Sequence, residues 1–313
     1  MGRYLLSRLA GVVGVLLAVS LITFVLMHAV PGGPFDVMGI NRSVAIPDNI
    51  KRQLEAKYGL DQPVLVQYAI FVKNAMRLDF GYSFFYQSQT VVQILERQWP
   101  YSAQLGLMTM AFSIVVGVGL GIAAAMNQGS WIDHTGTVVS LFCMAMPSFV
   151  LALLFQLYFS IKLGWVPTGG WDTPQQWILP VLANSLGPVL ILQRFTRASM
   201  VDVLRSNYIR TARAKGVPAS RVTLVHIFKN ALTPIVTVGV PLLAGLITGS
   251  FFIESIFRIP GVGRFWVTAV QNRDYPIIMA TTLAWTAIIS VTYLITDLLY
   301  AVIDPRVTYI REK

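Results

Sequence analysis

Hydrophobic and polar positions along this chain separate into long apolar runs divided by short charged intervals. A bilayer core about 30 Å thick is crossed by about 20 apolar residues in helical form. Six segments approach that length: 9–30, 103–126, 136–161, 178–193, 234–254 and 279–303. The period-two alternation of barrel strands is absent, and lipid cannot satisfy open backbone groups, so each run is expected to be helical. The fourth run is the shortest and holds Asn184, Gly187 and Pro188, which predicts a kink. The first follows Arg3 and Arg8 in the manner of a signal peptide. It is longer than the about 7–15 residues of a signal core, and no small-x-small cleavage site follows it. It is therefore read as an uncleaved transmembrane helix.

Composition agrees with the pattern. Of 313 residues, 55% are hydrophobic and 12% charged, against about 25% charged in a soluble domain. Mean hydropathy is +0.63. The net charge of +10 is concentrated rather than spread. Residues 194–233 carry eight Lys/Arg (Arg194, Arg197, Arg205, Arg210, Arg213, Lys215, Arg221, Lys229) against Asp202 alone. Positive-inside topology explains that better than nucleic-acid binding. With the N-terminus in the cytoplasm, thirteen basic residues fall inside, and the short outer loops hold only Lys162, Arg258, Arg264 and Arg273. Both termini are thus expected in the cytoplasm. The single cysteine, Cys143, lies in an apolar stretch and forms no intrachain disulfide.

The first loop, 31–102, has a pattern of its own. Val30-Pro-Gly-Gly-Pro34 stops the first helix. Asp48–Lys57 reads as a short helix with Asp48 near its N-cap and Gly59 ending it. Apolar Val64, Tyr68, Phe71, Ala75 and Leu78 recur at helical spacing, and Phe80–Tyr86 is rich in aromatics. A small folded cap or part of an interfacial belt is expected, with a docking surface for an external protein as the other reading.

The basic loop reads as an elbow. Helix is expected over 195–214, then a break at Gly216-Val217-Pro218, then a second short helix over 219–231. Small residues at the tip (Thr211, Ala212, Ala214, Gly216) leave room for another protein's backbone. Two readings stay open on residue physics alone: a seat for a cytoplasmic partner, or a polybasic segment that sets topology and touches anionic lipid.

Resemblance separates them. Tyr208-Ile-Arg-Thr-Ala-Arg-Ala-Lys-Gly216, with His226 and Asn230-Ala231, resembles the cytoplasmic loop of ABC importer permeases of the dipeptide/oligopeptide and nickel group, B-type subunit. Val30-Pro-Gly-Gly-Pro34, Leu78-Asp-Phe-Gly-Tyr-Ser83, Met146-Pro-Ser-Phe149, Arg273-Asp-Tyr-Pro276 and Asp304-Pro-Arg306 carry the likeness along the chain. Arg210-Thr211-Ala212 stands where the broad permease motif has Glu-Ala-Ala, and His226 and Lys229 replace its closing Ile and Pro. The resemblance implies an all-α type I importer permease of six transmembrane helices. It divides the chain into a first helix (1–30), an external loop subdomain (31–102), a five-helix core with the coupling loop (103–303) and a cytoplasmic tail (304–313). It implies an ATPase-coupling surface at Arg210, Thr211, Ala212, Arg213, Ala214, Lys215, Gly216, Val217 and Arg221. It also implies a heterodimer with a second permease subunit, two cytoplasmic ATPase subunits, an external substrate-binding protein, and a multi-pass place in the bacterial cytoplasmic membrane.

No Gly-x4-Gly-Lys-Ser/Thr occurs, so ATP and Mg are expected on partner subunits, with no cofactor, metal or catalytic residue here. Asp297 near the inner end of the last span is expected to pair with Arg194 or Arg197. Gln156, Asn184, Gln193, Thr248, Ser250, Thr286 and Ser290 are candidates for the substrate path. Gly239, Ala244, Gly245 and Gly249 are expected to serve close helix packing instead. Glu254 is left between headgroups and an outer gate. Intramembrane hydrolase chemistry is excluded: His28, His134 and His226 lie at span ends or in loops, and neither Gly-x-Ser-x-Gly nor His-Glu-x-x-His occurs. An ion-coupled secondary transporter is the rival from another class. Nickel is the rival substrate to peptide, disfavoured by the absence of a His/Cys cluster.

Overall fold

The structure is a computed structural model that describes residues 2–31, 52–53, 55–56, 59–86, 89–131, 133–136, 138, 146–216, 218 and 229–303. The described residues are helical, with a lone bridge between Tyr82 and Thr90 in place of strands. They fall into two compact units, one of residues 1–101 and 260–291, the other of residues 102–259 and 292–313.

In the first unit, α1 (Gly2–Ala29) is the first predicted span. Ser20, Phe24 and Met27 form its buried stripe, while Leu17, Leu21, Ile22, Val25 and Leu26 are exposed. That one-sided burial suits a helix with lipid on its other face. The segment expected to be helical before Gly59 is described only at residues 52–53 and 55–56, which are helical; Asp48 and Lys57 lie outside the described residues. Its stop is built as predicted. Gly59 takes φ +68°, and the Leu60 N–H reaches back to the Glu55 carbonyl at 2.8 Å. After it comes α2 (Val64–Ala75), the amphipathic run seen in the sequence. Its Tyr68 and Phe71 pack on Phe24, Val91, Ile94, Ile277 and Met279.

Asp274, seen in the sequence only as part of the Arg273–Pro276 likeness, organises the aromatic segment 80–86. Asp274 is 1% exposed and accepts hydrogen bonds from the Ser83 hydroxyl and from the Phe84 and Phe85 N–H groups, the latter two at 3.1 Å. Burial nonetheless pushes its carboxyl above the usual range, so its proton binding favours the folded cap as pH falls toward that range. Asp274→Ala would strand buried donors, which cost about 1–3 kcal/mol each. Faster proteolytic cutting of residues 80–90, with membrane insertion intact, is the expected result.

In the second unit, α3 (Val91–Ser113) continues through a widened π-helical turn (Ile114–Val118) into α4 (Gly119–Met126). Here α3 enters from the first unit, beginning about a dozen residues before the predicted span. Next come α5 (Ser148–Phe155), which continues as a π-helical stretch (Gln156–Lys162), and α6 (Pro174–Leu204). The expected short, kinked fourth span is thus a 31-residue helix holding Pro180 and Pro188. Gln176 caps its start by accepting the Thr173 N–H at 3.0 Å. The apolar run 178–193 covers the middle of this helix, which continues past it on both sides.

Two predicted spans are broken rather than continuous. The third is interrupted at Met146-Pro147, where Pro147 is extended (φ −59°, ψ 138°) and the described helix restarts at Ser148. The fifth runs as α8 (Lys229–Ile247), stops at Thr248-Gly249-Ser250 with Gly249 at φ +98°, and resumes as α9 (Phe251–Ile256). (The elbow helix α7, Asn207–Ala214, stands between α6 and α8.) A short α10 (Val262–Gln271) precedes α11 (Tyr275–Ile303), the sixth span. Among the described residues, four helices are long and apolar enough to cross a bilayer: Leu6–Ala29, Val91–Met126, Pro174–Leu204 and Tyr275–Asp297.

Glycines decide how closely α4 and the π-turn approach α6. A β-carbon on Gly117 would lie 2.6 Å from the Val189 carbonyl oxygen. One on Gly121 would lie 2.6 Å from Thr196 Cβ and 2.7 Å from the Gln193 oxygen. The four-residue spacing puts both glycines on one face, the small-residue arrangement that lets membrane helices touch backbone to backbone.

Candidate functional site

The elbow begins where α6 ends. The Arg205 N–H still reaches the Val201 carbonyl, and the Ser206 hydroxyl caps the Val203 carbonyl at 2.6 Å. A short helix, α7 (Asn207–Ala214), starts at once. Its anchor is Ile209, fully buried with Ala125, Met200 and Val201, so α7 rests on the ends of α4 and α6. Thr211, Ala214, Lys215 and Gly216 are exposed. Gly216 takes φ +75° in open space, where a β-carbon would meet nothing. The glycine is therefore required by the turn and not by crowding. Arg210, Ala212 and Arg213 sit on α7, while Val217, Arg221 and the second half of the elbow lie outside the described residues.

A second anchor holds the same end of the unit. Arg197 donates to Asp133 through both Nε (2.5 Å) and Nη2 (2.7 Å), and Asp133 also accepts the Gly129 N–H at 3.0 Å. The two-pronged pair ties the 129–136 segment to α6 one turn before Met200. Arg197 is thus committed to Asp133, a partner the sequence reading did not assign to it. Asp297 stands half-buried on α11, and Arg194 is exposed on α6. The Arg197 guanidinium, helped by the Gly129 N–H, lowers the Asp133 carboxyl to about 2. A depressed carboxylate contributes stability that is present above its unfolded value of about 3.9 and is lost as pH falls through about 2. Asp133→Asn should lower the melting temperature near neutral pH, and that deficit should shrink as the pH approaches 2. Adding Arg197→Ala to Asp133→Asn should cost little more, since one interaction is removed twice.

Glu254 faces neither headgroups nor solvent. It is fully buried, and its Oε1 accepts the Ser102 hydroxyl at 2.8 Å and the Ser250 N–H at 3.2 Å. It thereby caps the restart of α9 from inside. The candidate path residues are drawn into structure of their own. Gln156 donates to the Thr168 and Ile256 carbonyls, bridging the 163–173 loop to α9. Asn184 donates to Thr109, Thr248 to the Gly245 carbonyl, and Thr286 to the Thr282 carbonyl. Gln193 is buried where α4 meets α6, Ser250 is the residue before α9, and Ser290 is half-buried on α11. Of the packing glycines, a β-carbon on Gly239 would lie 3.1 Å from the Met110 methyl, one on Gly245 would meet nothing within 4 Å, and Gly249 is a backbone break.

An open apolar groove of about 560 Å³ in the second unit is lined by Pro188 and Ile191 of α6 and by Thr237, Val238, Pro241 and Leu242 of α8, among others. None of the seven path candidates lines it. Most of its wall comes from the two helices that flank the elbow, with Tyr293 of α11 completing it. No group of three or more His, Cys, Asp or Glu able to hold a metal is found among the described residues.

Comparison with known proteins gives a consistent neighbourhood. The family described as the binding-protein-dependent transport system inner membrane component matches residues 117–309, and its N-terminal companion matches residues 1–106. The dipeptide transport system permease protein DppB of Bacillus subtilis is 37% identical over 307 residues, covering 98% of both chains. The oligopeptide transport system permease proteins OppB of Haemophilus influenzae and Escherichia coli K12 are 39% and 37% identical, over 98% of this chain and 99% of theirs. The solved MetNI methionine ABC transporter, in inward-facing conformation, shares the fold with a TM-score of 0.57 at 13% identity. That match covers 67% of this chain and 96% of that one.

Proposed function

This chain belongs to the family of binding-protein-dependent transport system inner membrane components, and from that premise we propose that it is one permease subunit of an ATP-driven importer of di- and oligopeptides. The observation that carries the coupling role is the elbow: an exposed, small-residue, basic tip on a helix fixed to the unit by buried Ile209. The chain has no phosphate-cradling loop, so the work must come from partners.

Two cytoplasmic ATPases each seat one elbow, one from this chain and one from a second, similar permease. Closing on ATP draws the elbows together. Because α6 and α8 both leave the elbow and both wall the groove, the same displacement changes the groove's width. An external binding protein releases peptide into the outward-open path, and hydrolysis restores the inward state. The N-terminus, the elbow and the tail are cytoplasmic, and the 31–102 loop is external. The peptide assignment follows the relatives' transport of dipeptides and oligopeptides, and an apolar groove without a fixed polar constellation suits a cargo of varied side chains.

Reconstitution decides among the readings. The full set of subunits with the binding protein should take up labelled dipeptide only with ATP, and this chain alone should move none. Uptake by the lone chain down a sodium or proton gradient would overturn the ATP-driven reading. A binding protein that holds nickel and no peptide would reassign the cargo.

A further inference from the structure

The helix α2 belongs to a loop that the sequence reading places outside the membrane, yet its free face is apolar. Tyr68 and Phe71 turn toward the core of the first unit. Around the rest of the helix Leu65 is 82% exposed, Val66 41%, Ile70 46% and Met76, just beyond the helix, 76%, with Lys73 the charged residue among them. A helix apolar on both faces is not a water-soluble cap helix.

Its depth is fixed by α1. The Tyr68 hydroxyl meets Ser20 Oγ at 2.9 Å and the Leu17 carbonyl at 3.3 Å, and the Tyr68 ring packs on Phe24. Gln67 Oε1 meets His28 Nε2 at 3.1 Å. Ser20 lies nine residues before the end of α1 at Ala29, about 14 Å at about 1.5 Å per residue. That is far more than a tyrosine side chain spans, so the body of α2 lies beside the last turns of α1, at the level of Phe24 to His28. The α1 residues at those levels that are not packed, Leu21, Ile22, Val25 and Leu26, form its lipid-facing surface. The free face of α2 stands at the same depth as that surface. Lys73 and Arg77, both exposed, come at the end of α2, where long basic side chains reach phosphates while their stems stay in the acyl region.

We infer that α2 lies immersed at the acyl–headgroup boundary of the leaflet on the loop's side, with Leu65, Val66, Ile70 and Met76 against lipid acyl chains and Lys73 and Arg77 at the phosphates. The inference requires only that α1 spans the bilayer, and it is independent of cargo and of ATP coupling.

Nitroxide depth measurements on the full-length chain in the assembled transporter, in phospholipid bilayers, test it. On a Cys143→Ser background, labels are placed singly through Leu65→Cys, Ile70→Cys and Met76→Cys. Ile22→Cys and Asp61→Cys give the lipid and aqueous references. The three α2 labels are expected to collide with oxygen in preference to a water-soluble nickel chelate, close to the Ile22 label and unlike the Asp61 label, whether or not the binding protein is added. Preference for the chelate would overturn the inference in favour of an aqueous face. Loss of collisions with both agents would overturn it in favour of a covering protein, the second permease if constant and the binding protein if it appears on its addition. Because three positions are read separately, one variant that fails to insert leaves two to decide the outcome.

Discussion

Gly216→Val combined with Ala212→Glu should abolish ATPase stimulation by the binding protein and reduce peptide uptake by roughly tenfold or more, while the chain still inserts. Gly216 holds φ +75° in open space, so no clash forbids a side chain, but the left-handed backbone does. A left-handed residue other than glycine costs about 1–2 kcal/mol, a factor of roughly ten in population of the turn, and a β-branched residue is the worst case. Ala212 adds the second effect, since a carboxylate there adds both bulk and charge to α7 next to the turn. Gly216→Asn is the informative control, because asparagine tolerates the left-handed region. It should retain much of the activity that valine loses. ATPase pull-down separates the steps: the double variant should fail to retain the ATPase subunits, and Gly216→Asn should retain them. Undiminished assembly and stimulation in the double variant would remove the elbow from the coupling path.

The largest structural effect is expected from a single methyl group. Gly121→Ala places a β-carbon 2.6 Å from Thr196 Cβ and 2.7 Å from the Gln193 carbonyl oxygen. Part of that wall is backbone and cannot rotate away, so α4 and α6 must separate. Overpacking of a well-filled contact costs about 1–3 kcal/mol, and the upper end, about 3 kcal/mol, is expected here. That is a large share of the roughly 5–15 kcal/mol that holds a folded protein. Gly119, two residues away on the same helix, has nothing within 4 Å of its β-carbon. Gly119→Ala should therefore leave the melting temperature in detergent unchanged or slightly raised, whereas Gly121→Ala should lower it by several degrees and reduce the yield of folded chain. Equal behaviour of the two variants would mean that the helices do not meet at Gly121.

The contrast between these glycines shows what the sequence could and could not disclose. Gly216-Val217-Pro218 was readable as a break because its punctuation is local, and Gly59 for the same reason. Gly117 and Gly121 were not singled out, since a helical glycine declares its purpose only when the opposing surface is known. Hydropathy located the six apolar runs but not the breaks at Pro147 and Gly249, because an apolar side chain satisfies lipid equally in a helix or beside an unwound turn. The elbow was legible as a basic, small-residue segment, yet its seat on Ile209 was not, nor was the grip of Asp133 on Arg197 across 64 positions. Glu254 stands out in an apolar stretch, but its sequence neighbourhood does not name its partners. Its ligands, Ser102 and the Ser250 N–H, lie far off and in the backbone, where composition gives no sign of them.

The Asp274 clasp has a consequence for how the protein is made. Ser83 and its anchor are separated by 191 positions. At about 5–20 residues per second, translation takes roughly 10–40 s to deliver the carboxylate after the serine. Throughout that interval, on the topology proposed above, the aromatic stretch 80–86 stands across the membrane without the group that organises it. Newborn chains should then pass through a protease-sensitive, chaperone-dependent phase that ends only when the last membrane segment begins to emerge, and any truncation before Asp274 should prolong it indefinitely.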